Sequence, residues 1–249
     1  MMKYKILSVC CLLCIQLRAV GQIFEGEVTY EKTSYWAKIL NKLTYLTEEE
    51  RSRAQTSWGS NDEGDKNRGL LATNGKMSHY EDIEKEADGG YQWRKSQYVL
   101  QYDHENEKKI EIEEFSGKTY IISDSLKAPK WKVLNKIKEV NGYLCMMATT
   151  EDTLKGQKVT AWFANDLAGS AGPERYFGLP GIILEVDVND GEVIIKAVKV
   201  EKKPVDEQLQ LPKKLKGKKI DQEKYDKMIA EFVSNSIKSH RNPYYFIRY

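Results

Sequence analysis

Apolar residues recur at every second position through much of this chain, in short runs separated by turn-forming residues. YQWRKSQYVLQY, KKIEIEEF, KTYIIS, KWKVL, YLCMMATT, QKVTAWFA and EVIIKAVKVE all read as strands. They are separated at Ser116-Gly117, Asn141-Gly142, Lys155-Gly156 and Asn189-Asp190-Gly191. Upstream, IFEGEVTYEK reads as an edge strand, with Phe24, Val28 and Tyr30 set among charges. LLAT and KMSHY flank Asn74-Gly75, which, like Asn141-Gly142, suits a type I′ hairpin turn. At least nine strands follow one another without crossover helices. That pattern predicts a mainly β (α+β) fold: one large curved antiparallel meander, half-barrel-like, with a few helices over its open side.

The period lengthens to 3.6 in three places. Trp36, Ile39, Leu40, Leu43 and Leu46 predict an amphipathic helix over 35–46. Thr47-Glu48-Glu49-Glu50 is a capping box that starts a second helix, running towards Gln55. Asp221 caps a third, with Tyr225, Met228, Ile229, Phe232 and Ile237 along one stripe. Residues 58–68 read as a loop, 81–90 as an acidic loop, and the closing NPYYFIRY as a last strand.

Residues 172–188, GPERYFGLPGIILEVDV, combine tight backbone punctuation with a strongly apolar run. Pro180 presets its own φ and pushes Leu179 towards extended geometry, and Gly181 supplies a residue free to take positive φ. Ile182, Ile183, Leu184, Val186 and Val188 then form a strand. Between the two turn-forming segments lie Glu174, Arg175 and Tyr176, polar positions on a loop held rigid at both ends. They are the candidate recognition residues.

Charge and composition change the picture mainly at the ends. Lys3 and Lys5 precede an apolar run over 6–17 that is too short to span a bilayer, and Ala19-Val20-Gly21 offers small residues for cleavage. The expectation is a secretory signal over 1–21, cleaved after Gly21, and one domain over 22–249 in the periplasm or outside the cell. Export changes the balance to 36 basic against 37 acidic residues, because Lys3, Lys5 and Arg18 leave with the signal. No general attraction to nucleic acid follows. Three of the four cysteines leave as well, so Cys145 stands alone without an internal disulfide partner. Residues 202–249 carry twelve Lys and Arg against six Asp and Glu. The basic run over 213–219 lacks interleaved aromatics and reads as a solvated linker ahead of the third helix.

Several features in the second half carry a family resemblance: Tyr143-x-Cys145, Ala148, Trp162-Phe163, Gly172-Pro173, Tyr176, and Gly178, Leu179, Pro180, Gly181 and Ile182. Over about fifty residues the chain resembles the GLPGLI family, exported proteins named for that motif, with Ile182-Ile183 in place of the usual Leu-Ile. The resemblance implies an envelope protein of a Gram-negative bacterium and a curved sheet like the half-barrels of periplasmic lipoprotein carriers. It brings no catalytic residues with it.

The chemistry-bearing residues form no recognised constellation. His79, His104 and His240 are far apart, and Asp103-His104-Glu105 lacks the spacing of a metal loop, so it reads as a solvated turn and no metal or cofactor is expected. No HExxH, P-loop, GxGxxG or Ser-His-Asp order is present. Cys145 sits in an alternating strand without a neighbouring base, which favours a buried apolar role over a nucleophile or redox thiol. Trp162 and Phe163 fall on opposite faces of one strand, one for the core and one for a groove. Tyr245, Ile247 and Tyr249 alternate as in outer-membrane barrels, but KKIEIEEF lacks the lipid-facing apolar band. The reading is a non-catalytic binding or accessory module for an apolar small molecule, a lipid or an outer-membrane partner, with no transmembrane segment. The alternatives are an enzyme using Cys145 and a structural component of the envelope.

Overall fold

The computed structural model describes residues 23–58, 63–83, 97–211 and 214–248. The expected export signal, most of the acidic loop and the first half of the strand run expected over 91–102 lie outside these. Twelve strands form a single sheet: β1 (Gly26–Ser34), β2 (Asp65–Thr73), β3 (Met77–Ile83), β4 (Tyr98–Asp103), β5 (Lys108–Phe115), β6 (Lys118–Ser125), β7 (Lys132–Val140), β8 (Tyr143–Asp152), β9 (Gln157–Ala164), β10 (Ile182–Val188), β11 (Val193–Lys202) and β12 (Lys218–Ile220). Three helices accompany it: α1 (Trp36–Lys42), α2 (Glu48–Trp58) and α3 (Gln222–Lys238). The order is β12-β6-β5-β4-β3-β2-β1-β11-β10-β9-β8-β7, antiparallel except for the parallel pairing of β12 with β6. β12 and β7 are its two ends, so the sheet is open. No helix among the described residues is long and apolar enough to cross a membrane.

The sheet must curl, because residues from distant strands meet across one interior. Tyr30 on β1 donates its hydroxyl to the Ile183 carbonyl on β10, two strands away, at 2.7 Å. Tyr102 on β4 packs its ring 5.1 Å from that of Phe177, in the connection between β9 and β10. That connection, residues 165–181, lies in the interior and joins the main core through Leu167, Ala171, Phe177 and Leu179. Trp131 donates to the Phe177 carbonyl at 2.8 Å and fixes its far side. The curved sheet is therefore filled by its own chain.

The C-terminal part wraps the other way. Beyond β11, Val205 and Leu209 pack on Ala72, on the face of the sheet opposite the core, and the Leu209 carbonyl accepts from Gln101. Residues 218–220 then turn the β6 edge as β12. α3 lands on the interior side, where Tyr225 and Ile229 join Phe115, Tyr120 and Ile122. Asp221 caps it by accepting from the Lys224 amide at 2.8 Å.

Several expectations are corrected by this arrangement. β1 is central, between β2 and β11, because Val28 and Tyr30 are wholly buried on one face while both edges are paired. α1 stops at Lys42, so that the chain can turn into the Thr47 capping box; there Glu50 accepts from the Thr47 amide at 2.7 Å and Thr47 Oγ1 accepts from the Glu50 amide at 3.2 Å. The loop over 58–68 shrinks, since Asp65 pairs with Ser34 and the ladder carries β2 to that point. Asn141-Gly142 has positive φ at both residues, as a type I′ turn needs, but at Asn74-Gly75 only Gly75 does. The Asn74 side chain accepts instead from the amides of Lys76 and Met77. The linker over 213–219 ends as β12, and Pro243–Tyr245 form a 3₁₀ turn, with Asn242 accepting from the Tyr244 amide, in place of a last strand. On α3, Ser236 takes the buried place expected of Ile237, which is exposed.

Candidate functional site

Alternation brings charge into the interior at one defined place. One row across the inner face runs Val28, Leu71, Tyr80, Leu100, Glu111, Ile122 on six consecutive strands. It is apolar except for Glu111. In the neighbouring row Asp82 is paired with Gly69, and Glu113 lies between Tyr98 and Tyr120. A carboxylate in such surroundings needs a partner, since an unpaired buried charge costs several kcal/mol. The partners come from far along the chain.

Arg175, in the connection, reaches Glu111 with Nε at 3.1 Å and Nη2 at 2.8 Å, and Glu113 with Nη2 at 2.7 Å. Lys109 and the Tyr102 hydroxyl complete the shell of Glu111, at 3.1 and 2.8 Å. The Tyr225 hydroxyl on α3 donates to Glu113. Glu174 points the other way and accepts from Lys32 at 2.9 Å and from Arg248 at 3.0 and 3.1 Å. Arg248 also forks onto Asp82 at 2.7 and 2.8 Å and lies 3.6 Å over the Tyr98 ring. Glu174 holds φ at 51°, an uncommon value for a residue with a side chain, and its two cationic partners fix it there.

Part of this network lines a basin of about 430 Å³ between the inner face, α3 and residues 244–248. Lys32, Asp82, Glu113 and Arg248 line its depth, and Trp36, Tyr98, Phe115, Tyr225 and Phe246 supply aromatic walls. Burial pushes the Glu174 carboxyl up, but Arg248 and Lys32 pull harder and hold it at about 2. Burial likewise opposes Arg175 and Lys109 at Glu111, and the cations again win, at about 2. The Lys155 ammonium, in the β8–β9 turn, is lowered to about 8 by burial against the pull of Asp152, with Arg175 lowering it further.

Of the candidate recognition residues, Glu174 and Arg175 thus lie in the basin's charge network, and Tyr176 packs against the core. Arg175 pairs with Glu111, 64 residues away, and with Glu113. The motif residues occupy turns, close backbone approaches and core positions. Gly178 takes φ 92°, while Gly181 does not take positive φ; its role is to let the backbone pass Ala164 closely. Gly172 does the same beside Tyr176 and Ile183, Pro173 accepts from the Tyr176 amide, and Leu179 and Ile182 are buried. Pro180 is exposed beside them. Tyr143 packs partly buried on the core. Phe163 is core, and Trp162 on the other face carries Lys138 at 4.4 Å over its ring.

His104 is a further correction. It packs on Tyr102 and Phe177 and meets Ser78 at 2.8 Å, so burial lowers its pKa and the expected solvated turn is in part core. Among the described residues no group of three or more His, Cys, Asp or Glu side chains is placed to hold a metal ion.

Cys145 is fully buried, its thiol pushed up to about 11 by burial. Its thiolate fraction near neutrality is on the order of 1 in 10,000. Native protein is expected to react with a bulky aromatic disulfide reagent at least ~100-fold more slowly than urea-unfolded protein. Equal rates would show the thiol to be accessible.

Lys32, Asp82, Glu111, Glu113 and Arg248 were not selected from the sequence. The available signal was indirect: KKIEIEEF places Glu111 and Glu113 on a face that the curl turns inward.

Fold and site together define an open, curled antiparallel sheet, plugged by the connection before its tenth strand and carrying a charged basin. A sequence family described as "Protein of unknown function (Porph_ging)" matches residues 149–185, the stretch that includes the GLPG bend and both Glu174 and Arg175. None of the curated proteins has a sequence that matches this chain. Among solved structures, PNGF-II in its C2 and P21 crystal forms is similar at TM-scores of 0.53 and 0.50, with 18% and 19% identity over 82% of this chain. The chain spans about a third of the PNGF-II chains, 32% and 33%. At that identity the likeness is one of fold.

Proposed function

We propose that this protein is an exported binding module whose ligand occupies the basin lined by Lys32, Asp82, Glu113 and Arg248. The observation that carries the reading is the basin itself: a recess of about 430 Å³, within the size range of small-molecule sites, with aromatic walls and preoriented charges at its base. The connection over 165–181 fills the apolar interior, so the space that remains suits a ligand with polar groups as well as an apolar face. That modifies the apolar ligand or lipid expected from sequence. A binding role is favoured over general acid–base catalysis because Glu111 and Glu174, held near 2, are weak bases at neutral pH. Export, to the periplasm or beyond, rests on the N-terminal pattern of residues 1–21.

Native mass spectrometry of protein purified from its own envelope tests this reading. The expected result is a bound small molecule that is lost from a Ser34→Trp variant, in which the basin is filled while the circular dichroism is unchanged. A wild-type monomer that carries nothing would overturn it. A stoichiometric envelope protein in its place would support the docking role instead.

A further inference from the structure

Arg248 sits in its surroundings as a ligand would. Its guanidinium is forked onto Asp82, bridged to Glu174 and stacked at 3.6 Å on Tyr98. Those three groups belong to β3, the 165–181 connection and β4, and Lys32 of β1 also holds Glu174 at 2.9 Å, so the sheet and its plug bring the three together. They satisfy the three demands of a guanidinium: a carboxylate in bidentate geometry, a second negative charge and an aromatic face.

The delivering segment packs Tyr244 on the main core and Ile247 on the α3 cluster, but its backbone is tied locally. The backbone amides of Arg241, Tyr244, Phe246 and Ile247 donate to Ser236, Asn242 and Pro243, within the segment or at the end of α3. Phe246 rests edge-on against Phe232 of α3 and is otherwise exposed at the basin rim. The strain of a non-glycine residue at positive φ is placed on Glu174, the cage residue contributed by a connection.

We propose that Asp82, Glu174 and Tyr98 form a receptor for an arginine side chain, that Arg248 is its tethered occupant, and that an arginine-bearing peptide partner displaces it to enter the basin. This rests on the basin being the ligand site and names the class of partner. Tethering makes Arg248 an intramolecular competitor, so an external arginine meets a closed site in the intact protein and an open one when Arg248 is removed. The cage discriminates: an ammonium can satisfy the charge but cannot fork onto Asp82.

The test uses full-length chain and N-acetyl-arginine amide as probe, with N-acetyl-lysine amide as control, followed by calorimetry. Arg248→Ala is expected to bind one equivalent of the arginine probe at least ~10-fold more tightly than wild type does, and ~10-fold more tightly than the lysine control. Adding Asp82→Asn to that variant should abolish binding. A folded Arg248→Ala chain that ignores the probe, or binds it no better than wild type, overturns the proposal. If Arg248→Ala does not fold, Arg248→Met, which keeps the aliphatic cover on Tyr98, is held to the same outcomes. If neither folds alone, refolding in the presence of the arginine probe but not the lysine probe supports the cage, and no recovery overturns it. Native mass spectrometry separates the two ideas: an envelope ligand retained by wild type while the probe fails overturns the receptor and leaves the basin reading standing.

Discussion

A Gly181→Val chain is expected not to accumulate as folded protein. A Cβ at this position would lie 2.3 Å from the Ala164 carbonyl oxygen, 2.7 Å from its carbon and 3.1 Å from the Asn165 amide nitrogen. All three are backbone atoms at the point where β9 ends and the interior connection begins. Ile182 pairs with Ala164, and its amide donates to Leu167, so neither side can give without breaking the ladder that holds the plug. Overpacking of side chains alone costs about 1–3 kcal/mol, and displaced backbone costs more, so ~3 kcal/mol or greater is expected. That is a large part of the stability of a domain of this size. The cause is close approach, and substitution tells it apart from a positive φ. Asparagine tolerates positive φ, so Gly181→Asn would be mild if φ were the reason; here it should fail like valine. Gly142→Ala is the control, at φ 82° with nothing within 4 Å of an added Cβ, and should cost only about 1–2 kcal/mol. Soluble yield and urea unfolding give the order. If Gly181→Asn melts with wild type, the steric account fails.

The strands were readable because alternation and turn chemistry act over a few residues: Asn141-Gly142 and Ser116-Gly117 both have the paired positive φ of their turns. α3 was readable from Asp221 and its stripe. Position within the sheet was not. β1 looks like an edge strand because Glu27, Glu31 and Lys32 interrupt it, yet Lys32 is buried by an ion pair with a residue 142 positions away. β5 inverts the usual inference. Its isoleucines suggest the core face and its glutamates the wet one, but Glu111 is 1% exposed and Ile112 is 2% exposed, because both faces are covered. The site divides the same way. Glu174 and Arg175 could be chosen as polar residues on a doubly anchored loop, a local property. Their partners could not, since the pairs span 64, 74 and 142 residues, and the Arg248–Asp82 fork spans 166. Such pairings are created by the curl of the sheet, which no short window of sequence contains.

Replacing Arg175 with methionine should produce a second large loss, one that grows as pH rises from acid to neutral. In wild type the folded-state pKa of Glu111 lies at about 2, below its ordinary 4.5, so its contribution is fully present above the ordinary value and drains away as pH falls towards 2. Glu174 behaves alike, through Arg248 and Lys32. Wild-type stability should therefore rise across this window as pH increases. Without Arg175, Glu111 and Glu113 keep their burial and lose their shared cation, and removing one partner of a buried pair typically costs 3–5 kcal/mol. Lys109 still reaches Glu111, at 3.1 Å, which argues for the lower end of that range, about 3. Burial then weighs more heavily on Glu111, whose carboxyl rises from its depressed value with only Lys109 left to oppose it. The stability that Glu111 adds above its ordinary pKa shrinks accordingly, so the loss falls mainly at neutral pH. The gap between wild type and Arg175→Met should accordingly be widest near neutrality and narrow by roughly half towards about pH 4. Urea unfolding at the two pH values measures it. Adding Glu113→Gln should return part of the loss, since it removes a buried carboxylate that has lost its cation. A gap that stays constant with pH would mean that Arg175 stabilises through packing of its stem, and the charge network would then have no part in holding the connection in the interior.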